Sequence, residues 1–285
     1  MFGAIYGDII GSYYEVHSTK DYNFPLHKYS TFTDDSVLIA AVCKTILNNP
    51  GEISVWGISA RAKEFAAQYR QYYSYFPYAG FGNMFMAWAD NPYAPDGKSY
   101  GNGAAMRVLP IGYAYGTLRQ TLLQAKASCL STHNHREAVA TAQAVAASIF
   151  LARHGKSKEY IKRYLERKFG YDLSVPLSEI RKVHVFHPRA SYSVPPAIVA
   201  FLESTDYESA VRGAVSLGGD ADTQACIAGG IAEAFYGEIP EHIKRFCADK
   251  MDITIKQAVS EFEKRYEYKT GRAKLSRFII LSRDN

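Results

Sequence analysis

Four aspartates and two threonines fall into two short clusters, each directly ahead of an apolar run. The first is "FTDDSVLIAAV", with Thr33, Asp34 and Asp35; the second is "SLGGDADTQACIAGGIAEAFYG", with Asp220, Asp222 and Thr223. Read as helices, both runs belong in an interior. A side-chain oxygen at a helix start can accept a hydrogen bond from an unpaired backbone N–H, and the macrodipole favours negative charge there. Capping by Asp222 or Thr223 accounts for one acidic residue of the second cluster but leaves Asp220 outside the expected helix. If the two helix starts converge, four carboxylates share one small volume. Like charges at close range raise each other's pKa and oppose folding unless a cation lies between them, and neither segment carries a basic residue. Carboxylate and hydroxyl oxygens are hard ligands that select Mg²⁺, Mn²⁺ or Ca²⁺ over zinc. Four carboxylates balance two divalent ions, the arrangement of two-metal hydrolytic sites.

Three further segments offer chemistry. In "GDIIGSYYE" Asp8 and Glu15 are seven residues apart, so they share a helix face, and Glu15 can hang over a site from the end of the first helix. Its other reading is an ordinary surface glutamate. In "SYGNGAAMR" (residues 99–107) Gly101 and Gly103 flank Asn102 just before an expected helix start. Such a loop presents backbone N–H groups to an anion, with the helix dipole behind them; the GK[ST] ending of a P-loop is absent, and a plain turn is the alternative. In "STHNH", His133 is the residue to face a pocket, and His135 reads as a first-turn surface residue.

The elements that must position these groups are helices. Period-3.6 patterns recur and alternating strands do not. Gly3, Gly7 and Gly11, four apart, put one helix face within reach of another backbone. Helices are expected from Thr33 to Asn49, over "SVWGISARAKEFAAQYRQYY", in "NMFMAWA" and in "AAMRVLPIGYAYG". More follow over 118–130, 134–155 and 157–170, then from the prolines of "PPAIVAFLE", from Asp206, and over 240–248 and 254–267. Residues 76–104 form a long Gly-, Pro- and Tyr-rich stretch of the kind that is often functional. The tail "KLSRFIILSRDN" reads as a short strand or extended arm. The expectation is one all-α, single compact multi-helix domain of about ten helices spanning residues 1–285, with no repeat and no linker.

Composition narrows the function classes. The 285 residues are 47% hydrophobic and 21% charged, and the net charge of +5 is scattered, without the basic stripe that nucleic-acid binding requires. The four cysteines lack CxxC spacing and sit among apolar residues, so they read as small buried hydrophobes. The opening "MFGAIYGDIIGSYY" has no basic n-region and reaches an aspartate by residue 8, unlike a signal peptide. No apolar run approaches the ~20 residues that span a bilayer. A cytoplasmic monomer is the expectation.

Taken together, "GAIYGDIIGSYYE", "FTDDS", "SYGNGAAMR", "LSTH" and "SLGGDADTQACIAGGIAEAFYG" resemble, in order, the motifs of the ADP-ribosylglycohydrolases. This family includes the dinitrogenase-reductase-activating glycohydrolases and the ADP-ribosyl-acceptor hydrolases. The resemblance implies an all-α fold with two Mg²⁺ (or Mn²⁺) held by Thr33, Asp34, Asp35, Asp220, Asp222 and Thr223. It implies a glutamate, Glu15, on a mobile segment near the metals, and catalytic roles for Glu15, Asp35 and Asp222. Ser99, Tyr100, Gly101, Asn102 and Gly103 match the loop that holds the ADP-ribose phosphates and neighbouring groups, with Tyr100 able to stack on adenine, and His133 matches a histidine beside that loop. The implied reaction is hydrolysis at the anomeric carbon of the distal ribose of an ADP-ribosylated acceptor, protein or small molecule. Two departures stand out. Ser36 replaces a common Thr, and the residues ahead of "ASYSVPPAIVAFL" diverge where the leaving group is often contacted. A metal-dependent phosphoesterase, with Arg107 as its cation, and a catalytically silent ADP-ribose-binding relative remain as alternatives.

Overall fold

The computed structural model describes residues 1–266. Within them the chain folds into fourteen α-helices: α1 (Phe2–Val16), α2 (Asp34–Asn48), α3 (Ile58–Tyr75), α4 (Asn83–Asp90), α5 (Leu109–Ala114), α6 (Leu118–Cys129) and α7 (Arg136–Arg153), then α8 (Lys158–Phe169), α9 (Leu177–Val183), α10 (Ala190–Glu203), α11 (Tyr207–Val215), α12 (Ala221–Tyr236), α13 (Glu241–Ala248) and α14 (Ile253–Tyr266). Among the described residues there is no strand, only an isolated antiparallel bridge between Lys98 and His133. The tail expected as strand or arm lies outside the described residues.

The packing centres on α1 and α12. The three glycines of α1 let the two backbones nearly touch. A Cβ built on Gly7 would lie 2.1 Å from the Ala225 carbonyl oxygen, and one on Gly11 2.4 Å from that of Ala221. From the other side, a Cβ on Gly229 would meet the Gly3 oxygen at 2.5 Å. This close approach brings the C-terminal end of α1 to the N-terminal end of α12, which is why Glu15 reaches the second acidic cluster. Around this pair α12 packs on α7, α10 and α11, and α2 on α3 and α14. Buried apolar side chains form one continuous cluster from Met1 to Tyr266 that includes all four cysteines, each buried and unpaired. None of the helices is long and apolar enough to cross a membrane among the described residues.

Several boundaries differ from the sequence reading. The helix count exceeds ten because short helices such as the seven-residue α9 carry too little periodicity to register. The expected helix over "AAMRVLPIGYAYG" shrinks to a 3-10 turn at Asn102–Ala104 followed by α5, in whose first turn Pro110 sits, where a missing N–H costs little. Helix α10 starts at Ala190, five residues ahead of Pro195, so both prolines lie inside it. The Glu137 carboxylate on α7 explains the early start: it accepts hydrogen bonds from the Ser191 amide (3.1 Å) and hydroxyl, anchoring the first turn.

Candidate active site

The two acidic helix starts converge. Asp34, Asp35, Asp220, Asp222 and Thr223 line one cavity of about 370 Å³, together with Glu15. The hydroxyl of Thr223 on α12 donates to Asp35 Oδ1 on α2 at 3.2 Å, joining the two starts directly. Carboxylate oxygens of Glu15, Asp220 and Asp222 lie within 4.8 Å of one another; Asp34 and Asp35 line the cavity outside that trio. Glu15 occupies the last turn of α1. It is thus carried by a regular helix rather than by a separate segment.

Capping explains only the first cluster. Thr33 is the N-cap of α2 and accepts from the Asp35 amide at 3.3 Å. In the second cluster the cap position belongs to Asp220, not to Asp222 or Thr223, and its carboxylate makes no capping bond. It turns instead to Asn102, whose Nδ2 donates to it at 2.7 Å and to Ser193 Oγ at 3.0 Å. Asp8, about two turns before Glu15 on the same face of α1, is the residue that sequence reasoning left without a task. Fully buried on α1, it accepts from the Thr33 amide (3.0 Å) and hydroxyl (2.7 Å), and from the Ser36 amide (3.2 Å) and hydroxyl. It therefore clamps the start of α2, and Ser36 serves in that clamp. Thr33, held by Asp8, stands outside the cavity lining.

Among the described residues, no Lys, Arg or His forms an ion pair with these carboxylates. Burial pushes the Asp34 carboxyl well above the usual carboxylate range, with Asp8, Asp220 and Glu15 adding to it. Burial does the same for Asp35, helped by Asp8, Asp34 and Asp220, and for Asp222, helped by Asp220, Asp35 and Glu15. Glu15 is raised by partial burial and by Asp220, and Asp8 by burial to about 6, against the opposing pull of its hydrogen bonds. Asp35 Oδ2 is buried with no hydrogen-bond partner among the described residues. A buried, unpartnered carboxylate oxygen within a cluster of like charges is costly, and hard divalent cations are the partners that this donor set fits.

Beside the acidic cluster, and joined to it by the Asn102–Asp220 bond, the cavity is lined by glycines. Ser99, Gly101, Asn102 and Gly103 line it with His133, whereas Tyr100 does not. Tyr100 is 43% exposed, with the Arg189 guanidinium 5.3 Å from the ring centre and His135 edge-on at 6.0 Å. The loop is tied to residues 131–134 by three backbone bonds, Gly97 N to Ser131 O, Ser99 N to Thr132 O and Asn134 N to Gly97 O. Because only a single 3-10 turn follows, no helix dipole stands behind the loop. His133 is buried and its pKa falls well below the ordinary imidazole value, through burial and then the Arg107 charge. His135 caps α7, accepting from the Glu137 amide at 3.2 Å. Arg107 lines the cavity, yet its Nη2 is held by Ser128 O and Thr132 Oγ1 and its guanidinium lies 4.1 Å above the Tyr69 ring.

The lining also draws on α4, the helix expected over "NMFMAWA", and on loops flanking it and α10. Gly80, Gly82, Asn83, Met84, Phe85 and Trp88, within the long stretch of the kind that is often functional, line the cavity, as does Phe186. Gly218 and Gly219 are both left-handed (φ +71°), and a Cβ on Gly219 would meet the Phe186 amide at 3.0 Å. Lys20 Nζ ties the same region together by donating to the His184 and Leu217 carbonyls. The glycine doublet was visible in the sequence, but its partner segment was not.

A model of the ADP-ribosylglycohydrolase family matches residues 1–270. The chain belongs to the ADP-ribosylglycohydrolases. Within that family it is 26% identical to the ADP-ribosylhydrolase ARH3 of Homo sapiens, over 93% of each chain. It is 28% identical to ADP-ribosylhydrolase ARH3 of Xenopus tropicalis, over 84% of this chain and 86% of the relative. Among solved structures, one described as an ADP-ribosylglycohydrolase-related protein complex superposes with a TM-score of 0.66 over 92% of this chain and 95% of its own, at 24% identity. That last likeness establishes the all-α ADP-ribosylglycohydrolase fold.

Proposed function

We propose that this protein hydrolyses the glycosidic bond between ADP-ribose and an acceptor at the distal ribose, with Asp34, Asp35, Asp220, Asp222 and Thr223 as the residues that would hold two Mg²⁺ or Mn²⁺ and with Thr33, engaged by Asp8, behind them. The observation that carries the reading is the meeting of five carboxylates, with no ion-pair partner among the described residues, in a cavity also lined by a glycine loop. When bound, such ions supply Lewis acidity and a nucleophile at neutral pH. The chain's own residues do the rest. Asp8 holds the start of α2 and Asn102 orients Asp220. Positive charge developing on the ribose, as in other glycoside hydrolyses, faces Asp35 and Asp222. Glu15, with its raised pKa, accepts the proton of the attacking water. Ser99, Gly101, Asn102, Gly103 and His133 receive the phosphates, and the acceptor leaves past Met84 and Phe186.

The relatives named ADP-ribosylhydrolase support this reaction class. A phosphoesterase would use Arg107 as its cation. Nη2 of that guanidinium is held by Ser128 O and Thr132 Oγ1, while Nε and Nη1 are buried without a hydrogen-bond partner among the described residues. It is therefore the ADP-ribosylhydrolase relatives that favour the glycosidic reading. The test is a panel of defined conjugates, with ADP-ribose on arginine, serine, a nucleic-acid end and an acetyl ester, incubated with Mg²⁺ and assayed for free ADP-ribose. Release from at least one is expected. Binding of ADP-ribose without release from any conjugate would make the protein a silent relative.

A further inference from the structure

Behind the glycine loop a chain of hydrogen bonds runs from Arg107 through Thr132 to His133. Arg107 is fully buried, and its Nη2 donates to Thr132 Oγ1 at 2.7 Å. The same oxygen lies 2.8 Å from His133 Nδ1. A guanidinium can only donate, so Thr132 Oγ1 accepts from Arg107 and its own hydrogen must go elsewhere. Among the described residues the one acceptor recorded for it is His133 Nδ1. If Nδ1 carried a hydrogen towards Thr132 instead, the buried hydroxyl hydrogen would have no acceptor and would bear its full desolvation penalty. Placing the imidazole hydrogen on Nε2 leaves Nδ1 to accept from Thr132 and satisfies both links of the chain. The unpaired imidazole donor is then the Nε2–H, which belongs to a residue lining the cavity. Burial and the nearby guanidinium keep the ring neutral.

Nε2 lies against the glycine turn: a Cβ would fall 2.9 Å from it at Gly103 and 4.0 Å at Gly101. It has no hydrogen-bond partner among the described residues, and His133 lines the cavity. We propose that Arg107 and Thr132 are positioning residues that lock His133 in the Nε2–H tautomer, making it a hydrogen-bond donor to an anionic phosphate oxygen held against the Gly101–Gly103 turn. His133 is then no proton acceptor, and acid–base work stays at the carboxylate end. The identity of the phosphate ligand rests on the function proposed above; the tautomer does not.

The experiment is imidazole ¹⁵N NMR of the full chain at neutral pH, with His133 assigned among the eight histidines by the His133→Gln spectrum, and ADP-ribose affinity measured by calorimetry. Wild type should show protonated Nε2. Thr132→Val should mix the tautomers and weaken ADP-ribose about tenfold, as expected for loss of one oriented hydrogen bond to a charged group; Thr132→Ser should restore both. Protonated Nδ1 in the wild type, or an unmoved tautomer in Thr132→Val, overturns the lock. An altered tautomer with unchanged ADP-ribose affinity overturns the donor role. An Nε2–H wild type that fails to bind ADP-ribose at all supports the lock and counts against the substrate reading alone.

Discussion

The two adjoining parts of the cavity, an acidic end and a glycine end joined by the Asn102–Asp220 bond, are built by opposite means. At the acidic end, side chains of one sign converge with no ion-pair partner among the described residues, on helix termini held by the α1–α12 backbone contact and the Asp8 clamp. At the glycine end, backbone bonds tie the loop to residues 131–134, and a neutral histidine is backed by a buried arginine, with His133 Nε2 left as the group without a partner. The acidic end is thus electrostatically incomplete and the glycine end is set before any ligand arrives. Ion dependence should therefore belong to one end and not to the other.

The largest effect expected is at the acidic end. Asp35→Ala and Asp222→Ala should reduce ADP-ribose release by more than about a thousandfold, consistent with loss of metal and its charge stabilisation, and calorimetry should show weakened Mn²⁺ binding. Retained turnover in either variant would remove the reason for calling this end catalytic. Glu15→Gln should lower turnover by about 10² to 10⁴, the usual range for a general acid or base, while weakening Mn²⁺ binding less than Asp222→Ala does. Because Glu15 groups so closely with Asp220 and Asp222, an equal loss of metal would make it a ligand rather than a proton carrier.

The charge imbalance also sets a pH dependence. The folded pKa values of Asp34, Asp35 and Asp222 are raised, and that of Asp8 reaches about 6. A carboxyl raised in this way lends its stability fully below its unfolded value of about 4 and loses it as pH rises through the folded value. Metal-free protein should therefore lose stability from about pH 4 up through 6 and beyond, and Mg²⁺ should replace the lost protons. Thermal melts should show a small Mg²⁺-induced rise in Tm at pH 5, growing to about 5 °C or more at pH 8 with the ion at a hundredfold excess over its Kd. A shift independent of pH would contradict the shared-charge account. At the glycine end, Tyr100→Ala should be the mildest change, about tenfold or less in ADP-ribose affinity by calorimetry. Its ring stands outside the cavity lining and is already approached by Arg189. A hundredfold loss would restore the stacking role that the sequence motif implied.

What was legible in the sequence was local. The spacing of Gly3, Gly7 and Gly11 announced a close helix contact, and the acidic clusters announced two helix starts, because each signal lies within one element. Asp8 was visible as a face-mate of Glu15, but its partners Thr33 and Ser36 are some twenty-five residues away and on another helix. The same limit hid the Arg107–Thr132–His133 chain and the seat of Phe186 on Gly219. Helix α10 misled because proline marks a first turn by default, whereas Glu137, from a distant helix, fixes the true start. Tyr100 shows the converse: a motif identifies a residue without saying which way its ring turns.

The central claim is that two acidic helix starts jointly hold a pair of divalent ions. Anomalous diffraction from a crystal grown with Mn²⁺ tests it most directly. The account predicts two peaks within about 4 Å of each other, bounded by Asp34, Asp35, Asp220, Asp222 and Thr223; a single peak confined to Glu15, Asp220 and Asp222, or no peak between α2 and α12, would contradict it.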